Sequence, residues 1–237
     1  MKTWPRLIEP FEEEAASSWA DRVSRRFRTP WNEILSPWCC RDLDDVALDV
    51  GIPAINMLRM AAVTGVRIVH LRDMFLATQF PAVRGAIGRT DGHVEEQLGW
   101  ESWRPAGKSQ LIKLCPKCIE EKGTFYYRLP WRFKVIRTCQ SHKCWLLPAY
   151  QAGSQARFRG DGTGHLKHAL ALDDLSLAAM RTGEVVLSSL VVPAGVWFST
   201  LLPALAVQME SKYCPKKHPG LRHLTAHSER LCLIFPR

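Results

Sequence analysis

The chain lacks the common catalytic signatures. It contains no Gly-x-Ser-x-Gly elbow, no phosphate loop and no His-Glu-x-x-His helix, which argues against the chemistries those motifs carry. Residues 1–20 lack an apolar leader core and carry Glu12-Glu13-Glu14 instead, so a cytoplasmic protein with reduced thiols is expected. Acidic residues are scarce, at 23 against 32 Lys and Arg, giving a formal net charge of +9 and a pI near 9.3. That excess favours polyanionic partners or acidic protein surfaces and concerns attraction rather than fold. From Val185 to Val207 there is no charge of either sign. The stretch is long enough to span a bilayer. Pro193, Gly195 and Pro203 interrupt it, however, and two buried helices with a turn between them are the expectation.

Against these absences stands one dense array. Cys115-Pro116-Lys117-Cys118 and Cys139-Gln140-Ser141-His142 form two x₂ knuckles separated by twenty residues. Each knuckle puts two soft ligands on one tight turn, and two of them can close a tetrahedral Zn²⁺ site. Four protein ligands leave no open position for water, so the role expected of the metal is structural. A redox Cys-x-x-Cys or buried free thiols are the alternatives for an isolated pair, and the paired spacing argues against both. Cys144 could replace the fourth ligand; His142 is preferred because it completes the second x₂ loop.

The spacer from Lys122 to Arg137 has no acidic residue. Lys122, Arg128, Arg132, Lys134 and Arg137 are interleaved with Phe125, Tyr126, Tyr127, Trp131 and Phe133. Runs 125–129 and 131–136 are aromatic and β-branched, which predicts two short strands around Pro130 with an aromatic and a basic face. The aromatics suit a small core beneath the metal. Arg128, Arg132, Lys134 and Arg137 are the candidate contacts to phosphate or to an acidic protein surface.

Cys115-Pro116-x-Cys118, Tyr127-Arg128-Leu129-x-Trp131-Arg132 and Cys139-x-x-His142 with Leu146-Leu147 together resemble the zinc-finger core of TniQ/TnsD proteins. Pro5-Arg6 and Pro10 precede Glu14-Ala15-Ala16-Ser17-Ser18-Trp19-Ala20-Asp21-Arg22, which is similar to the family's Glu-Ser-Leu-x-Ser-Trp-Leu-x-Arg opening. The resemblance covers residues 5 to about 147. It implies a target-selection subunit of a transposon that also encodes an AAA+ ATPase regulator and a transposase. Some relatives are tethered to CRISPR effector complexes, so a guide complex joins DNA and the ATPase among the implied partners. Many members carry a second Cys-x-x-Cys knuckle after the histidine. Here Leu146 to Tyr150 runs into Gln151-Ala152-Gly153-Ser154 without a cysteine, leaving one metal site of the usual kind.

The remaining chain reads mainly as helix. Ala15 to Arg28 has acidic residues before it, arginines at its end, and Trp19, Val23 and Phe27 on one face. Asp44 to Met60 has helix-turn-helix character, with Gly51 at the turn and Ile52, Ile55 and Met57 or Leu58 sealing the second helix. At the front of that helix only Asn56 could read a base edge. Trp31, Trp38 and the packing thiols Cys39 and Cys40 follow the first helix. The segment 84–93 reads as an exposed basic loop, and His70 and His93 as a packed and a solvated histidine. Residues 151–164 read as a linker, and His165 to Arg181 as a helix with Leu166, Leu170, Leu177 and Met180 inward. From Ser211 a basic tail carries Cys214, His218, His223 and His227.

The expected fold is therefore mainly α with a small zinc-stapled β-hairpin. It divides into a helix-turn-helix-like N-terminal domain (1–104), a zinc-finger module (105–150) and a helical C-terminal region with a basic tail (151–237). The expected function is a non-enzymatic adaptor; the alternative is a sequence-specific helix-turn-helix regulator with a structural zinc.

Overall fold

The computed structural model describes residues 8–30, 33, 45–83, 112–149, 163–201 and 204. The Trp31–Cys40 segment apart from Glu33, the basic loop 84–93, the approach to the metal module, residues 151–162 and the tail from Ser211 lie outside them.

Helix α1 (Ala16–Phe27) forms where its pattern predicts. Trp19 and Val23 are buried and Phe27 half-buried, and Arg25 and Arg26 in the last turn complement the helix dipole. Arg28 closes the helix in the left-handed region, its N–H bonded to the Ser24 carbonyl. Four shorter helices follow: α2 (Asp45–Val50), α3 (Ala54–Thr64), α4 (Ile68–Asp73) and α5 (Leu76–Gln79). Gly51 joins α2 to α3 at φ +149°, a conformation that side chains with a Cβ rarely adopt.

The expected seal of α3 is corrected. Ile52 is buried, but Ile55 and Leu58 are 55% and 53% exposed. Pro53 fixes where the helix begins, and the resulting phase turns Met57, Met60 and Val63 inward. Helix α2 packs on α1 and α5, while α3 packs on α4. These helices share one core with Trp19, Leu48, Leu71 and Phe75.

The metal module starts at β1 (Lys113–Leu114), which pairs antiparallel with β4 (Leu147–Pro148). Helix α6 (Pro116–Lys122) comes next, then a 3₁₀ turn over Leu129–Arg132, then β2 (Thr138–Cys139) paired with β3 (Cys144–Trp145). The two-stranded hairpin expected across 125–136 is not formed. Pro116 sits in the first turn of α6 and Pro130 opens the 3₁₀ turn, the two places where a missing N–H costs nothing. Tyr126, Tyr127, Trp131, Phe133 and Ile136 are all buried, so the segment has no separate aromatic and basic faces.

After α7 (Thr163–Thr182) comes a third correction. Leu177 and Met180 of α7 point inward as expected, with Leu166 and Leu170 half-buried. The uncharged stretch then opens as a hairpin, β5 (Glu184–Leu187) against β6 (Leu190–Pro193), instead of a helix. Val185-Val186-Leu187 and Leu190-Val191-Val192 are β-branched-rich runs around Ser188, which takes φ 53°. Val185, Leu187 and Val192 face the core while Val186 and Val191 face out, the period of two expected of a half-buried sheet. A helical turn at Ala194–Val196 and a π-helical turn at Trp197–Leu201 follow. Trp197 and Phe198 are fully buried, and the Trp197 indole donates to Ser176 Oγ at 3.1 Å. No helix among the described residues is long and apolar enough to cross a membrane.

Candidate metal centre

Cys115 N-caps α6, its sulfur accepting the Cys118 N–H at 3.5 Å. The turn that starts the helix thus brings the first two ligands together. Gly123 ends α6 at φ 61°, releasing the chain toward the aromatic segment. The second pair sits on the β2–β3 hairpin, where Cys139 closes β2 and His142 lies in the turn. Lys143 completes that turn with φ 47°.

The four ligand atoms all lie within 4.8 Å of one another. Cys118 and Cys139 sulfurs are 3.8 Å apart, and His142 Nδ1 is 3.5, 3.2 and 3.6 Å from Cys115, Cys118 and Cys139. A tetrahedron with Zn–S of about 2.3 Å and Zn–N of about 2.0–2.1 Å has edges of about 3.8 Å between sulfurs and about 3.5 Å from sulfur to nitrogen. The residues present therefore fit a tetrahedral cation. Cys144 Sγ is 3.6 Å from Cys115 Sγ but stands outside that mutual set.

Electrostatics agree with the geometry. The Cys139 thiol is pushed up to about 12 by its contact with Cys115 and then by burial, and burial also raises Cys118. Crowded thiols resist ionising together, and a divalent cation at their centre inverts that preference. Sequence reasoning missed Glu121. Its Oε1 is 2.7 Å from His142 Nε2, so the carboxylate orients the ring with Nδ1 toward the sulfurs. Its position three residues after Cys118, on the same turn of α6, was the available signal.

The module is joined to α1 through both motifs quoted above. Main-chain bonds run from Ala15 N to the Tyr127 carbonyl at 3.1 Å and from Leu129 N to the Glu13 carbonyl at 2.7 Å. Glu14 and Arg128 form an isolated β-bridge. The Glu14 carboxylate is fully buried and takes Arg22 Nε and Nη2 at 2.8 and 2.7 Å, with Ser18 Oγ at 3.0 Å. Ser18 Oγ in turn accepts the Tyr127 N–H at 3.0 Å.

A second buried cluster lies beside the first. Asp49 accepts Ser17 N and Oγ, both at 2.7 Å, and Ser17 Oγ hydrogen-bonds the Tyr127 hydroxyl. Arg132 Nε approaches Asp49 Oδ2 at 2.6 Å as an ion pair. Burial raises the Asp49 carboxyl to about 6 against the opposing charge of Arg132. On the other side of the module Asp173 of α7 accepts Arg137 N at 2.8 Å, and Thr138 N and Oγ1 at 2.7 Å.

These contacts rearrange the expected basic face. Arg132 is 2% exposed, with its charge directed at Asp49 inside the protein. Arg128 is mostly buried, donating to Ser141 Oγ at 2.9 Å with Glu13 Oε2 at 3.5 Å. Lys134 and Arg137 are exposed, and Asn56 at the start of α3 is half-exposed.

No curated protein and no solved structure matches the chain. A family model does match: TniQ, over residues 5–146. That span runs from the approach to α1 through the second knuckle, more than half of the chain, and the protein belongs to the TniQ family, which is associated with target selection in transposition.

Proposed function

We propose that this protein is a non-enzymatic adaptor that links a target DNA, or a CRISPR RNA-guided complex seated on it, to the AAA+ ATPase regulator of its transposon. TniQ domains are transposition adaptor domains and are generally non-catalytic. The observation that carries the reading is how the motif residues are used. Glu14, Ser18 and Arg22 form one buried cluster and Asp49, Tyr127 and Arg132 another, and both bind the metal module to α1. Their reactive groups are committed to scaffold bonds, which suits a protein that holds two surfaces in register.

Zn²⁺ is the metal proposed for Cys115, Cys118, Cys139 and His142, because three thiolates and an imidazole at tetrahedral spacing suit it. Bound there it would supply a cross-link between α6 and the β2–β3 turn. Lys134 and Arg137 remain as exposed candidates for partner or phosphate contact, and Asn56 as a minor one. The front of α3 offers Pro53, Ala54, Ile55 and Asn56, a poor base-reading surface, so the helix-turn-helix regulator is the weaker reading.

The test is capture of the ATPase encoded beside the transposase, by metal-loaded protein, with and without DNA. Capture that strengthens with DNA is the expected result. No capture under either condition, or turnover of a substrate by the purified protein, would refute the proposal.

A further inference from the structure

We propose that the groove between α1 and the end of α6 seats the phosphate backbone of duplex DNA, with Arg25, Arg26 and Lys122 as its contacts. The inference deepens the adaptor reading and rests on its DNA partner. The groove encloses about 480 Å³; among the described residues four cations line it, Arg22, Arg25, Arg26 and Lys122, and no carboxylate does. Phe11 is part of its wall, with Lys122 Nζ 5.3 Å from the ring centroid.

Arg22 is already neutralised by Glu14. The other three differ from it, since among the described residues none of them is in an ion pair. Among the described residues Arg25 is held by main-chain carbonyls, its Nε donating to Asp21 O at 3.3 Å and its Nη2 to Phe125 O at 2.8 Å. Neutral carbonyls fix a guanidinium without cancelling its charge. The side chain has thus lost rotamer freedom before any ligand arrives, which lowers the cost of binding. Arg26 and Lys122 are exposed at the same groove. The neighbouring Glu121 carboxylate is not part of the groove's lining and is engaged by His142 Nε2 at 2.7 Å.

Guanidinium and ammonium groups without carboxylates between them match a row of phosphates. The bond from Arg25 to Phe125 O also spans from α1 to the metal module, so both walls are present only when the module is docked. Of the three, Arg25 and Arg26 lie outside the spacer, and Lys122, its first residue, is not among the four contacts expected there. They come from two segments almost a hundred residues apart.

The experiment is a salt titration of binding to a random-sequence DNA duplex, using full-length metal-loaded protein. Wild type is compared with Arg25→Gln/Arg26→Gln/Lys122→Gln and with Lys134→Gln/Arg137→Gln. Each lost phosphate contact lowers the slope of log K against log salt by about 0.9, so the triple variant should lose roughly 2 to 3 in slope at unchanged metal content. An unchanged slope overturns the proposal. ATPase capture by the same variant separates the two readings. Retained capture with an unchanged slope removes the groove and leaves the adaptor. Lost capture with an unchanged slope makes the groove a protein-docking site, which also overturns its assignment to DNA. A slope that falls on an RNA duplex but not on DNA overturns it as well.

Discussion

Replacing Arg132 by Met should destabilise the protein by an amount that grows with pH. Asp49 and Arg132 are buried and meet at 2.6 Å, and the Asp49 carboxyl sits at about 6 instead of 3.8. A folded value above the unfolded one means that the native state binds the proton more readily. The group's contribution is therefore fully present below about pH 4 and is lost as pH rises through 6. Above that point the wild-type carboxylate is ionised, with Arg132 beside it, and the loss stops. Methionine occupies comparable space without a charge, so the carboxyl shifts higher and the loss continues at about 1.4 kcal/mol per pH unit.

The two proteins should then differ at pH 6 mainly by a fixed packing difference. The gap should widen by about 1 kcal/mol between pH 6 and pH 7 and by a little over ~2 kcal/mol between pH 6 and pH 8, toward the roughly 3–5 kcal/mol typical of a broken buried pair. Urea unfolding of metal-loaded protein at the three pH values measures it. Metal affinity also rises with pH but acts on both proteins alike. Adding Asp49→Asn to Arg132→Met should abolish the widening. A gap of the same size at pH 6 and pH 8 would show that Asp49 is not held by Arg132 in this way.

Further outcomes follow from the metal centre. Cys118→Ser should release the metal and loosen the module, read by elemental analysis and limited proteolysis, whereas Cys144→Ser should keep full stoichiometry; the reverse pattern would move the ligand assignment. Glu121→Gln should weaken metal affinity about 10-fold in competition with a chelator, and an unaltered affinity would strip Glu121 of its orienting role.

The clustering of Cys115, Cys118, Cys139 and His142 was legible because knuckle spacing is a local code: two residues between such side chains fit one turn whatever surrounds them. Helices α1 and α7 were legible by the same locality, through periodic apolar faces. The spacer misled for a definite reason. Alternating aromatic and basic residues indicate a strand only if one face meets solvent, and here tertiary packing buries Tyr126, Trp131 and Arg132 alike. Arg132 in particular looked like surface charge because its partner, Asp49, lies more than eighty positions earlier. The β5–β6 hairpin was hidden by an uncharged run read for length, when Ser188 between two valine-rich triplets was the better clue. Ile55 and Leu58 were misassigned because a short helix offers too few turns to fix its phase.

The bonds that seat Tyr127 on α1 also constrain the order of events during synthesis. Tyr127 N reaches Ser18 Oγ across 109 residues, and its hydroxyl reaches Ser17 across 110. Helix α1 emerges first, yet the Glu14 and Asp49 carboxylates cannot be fully enclosed until that distant segment has left the ribosome. At about 5–20 residues per second the wait is on the order of 5 to 20 seconds. Closing so long a loop adds a search that neighbouring helices do not require. A nascent chain halted before residue 127 should therefore bind chaperones through α1, and metal supply during translation should decide how soon it lets go.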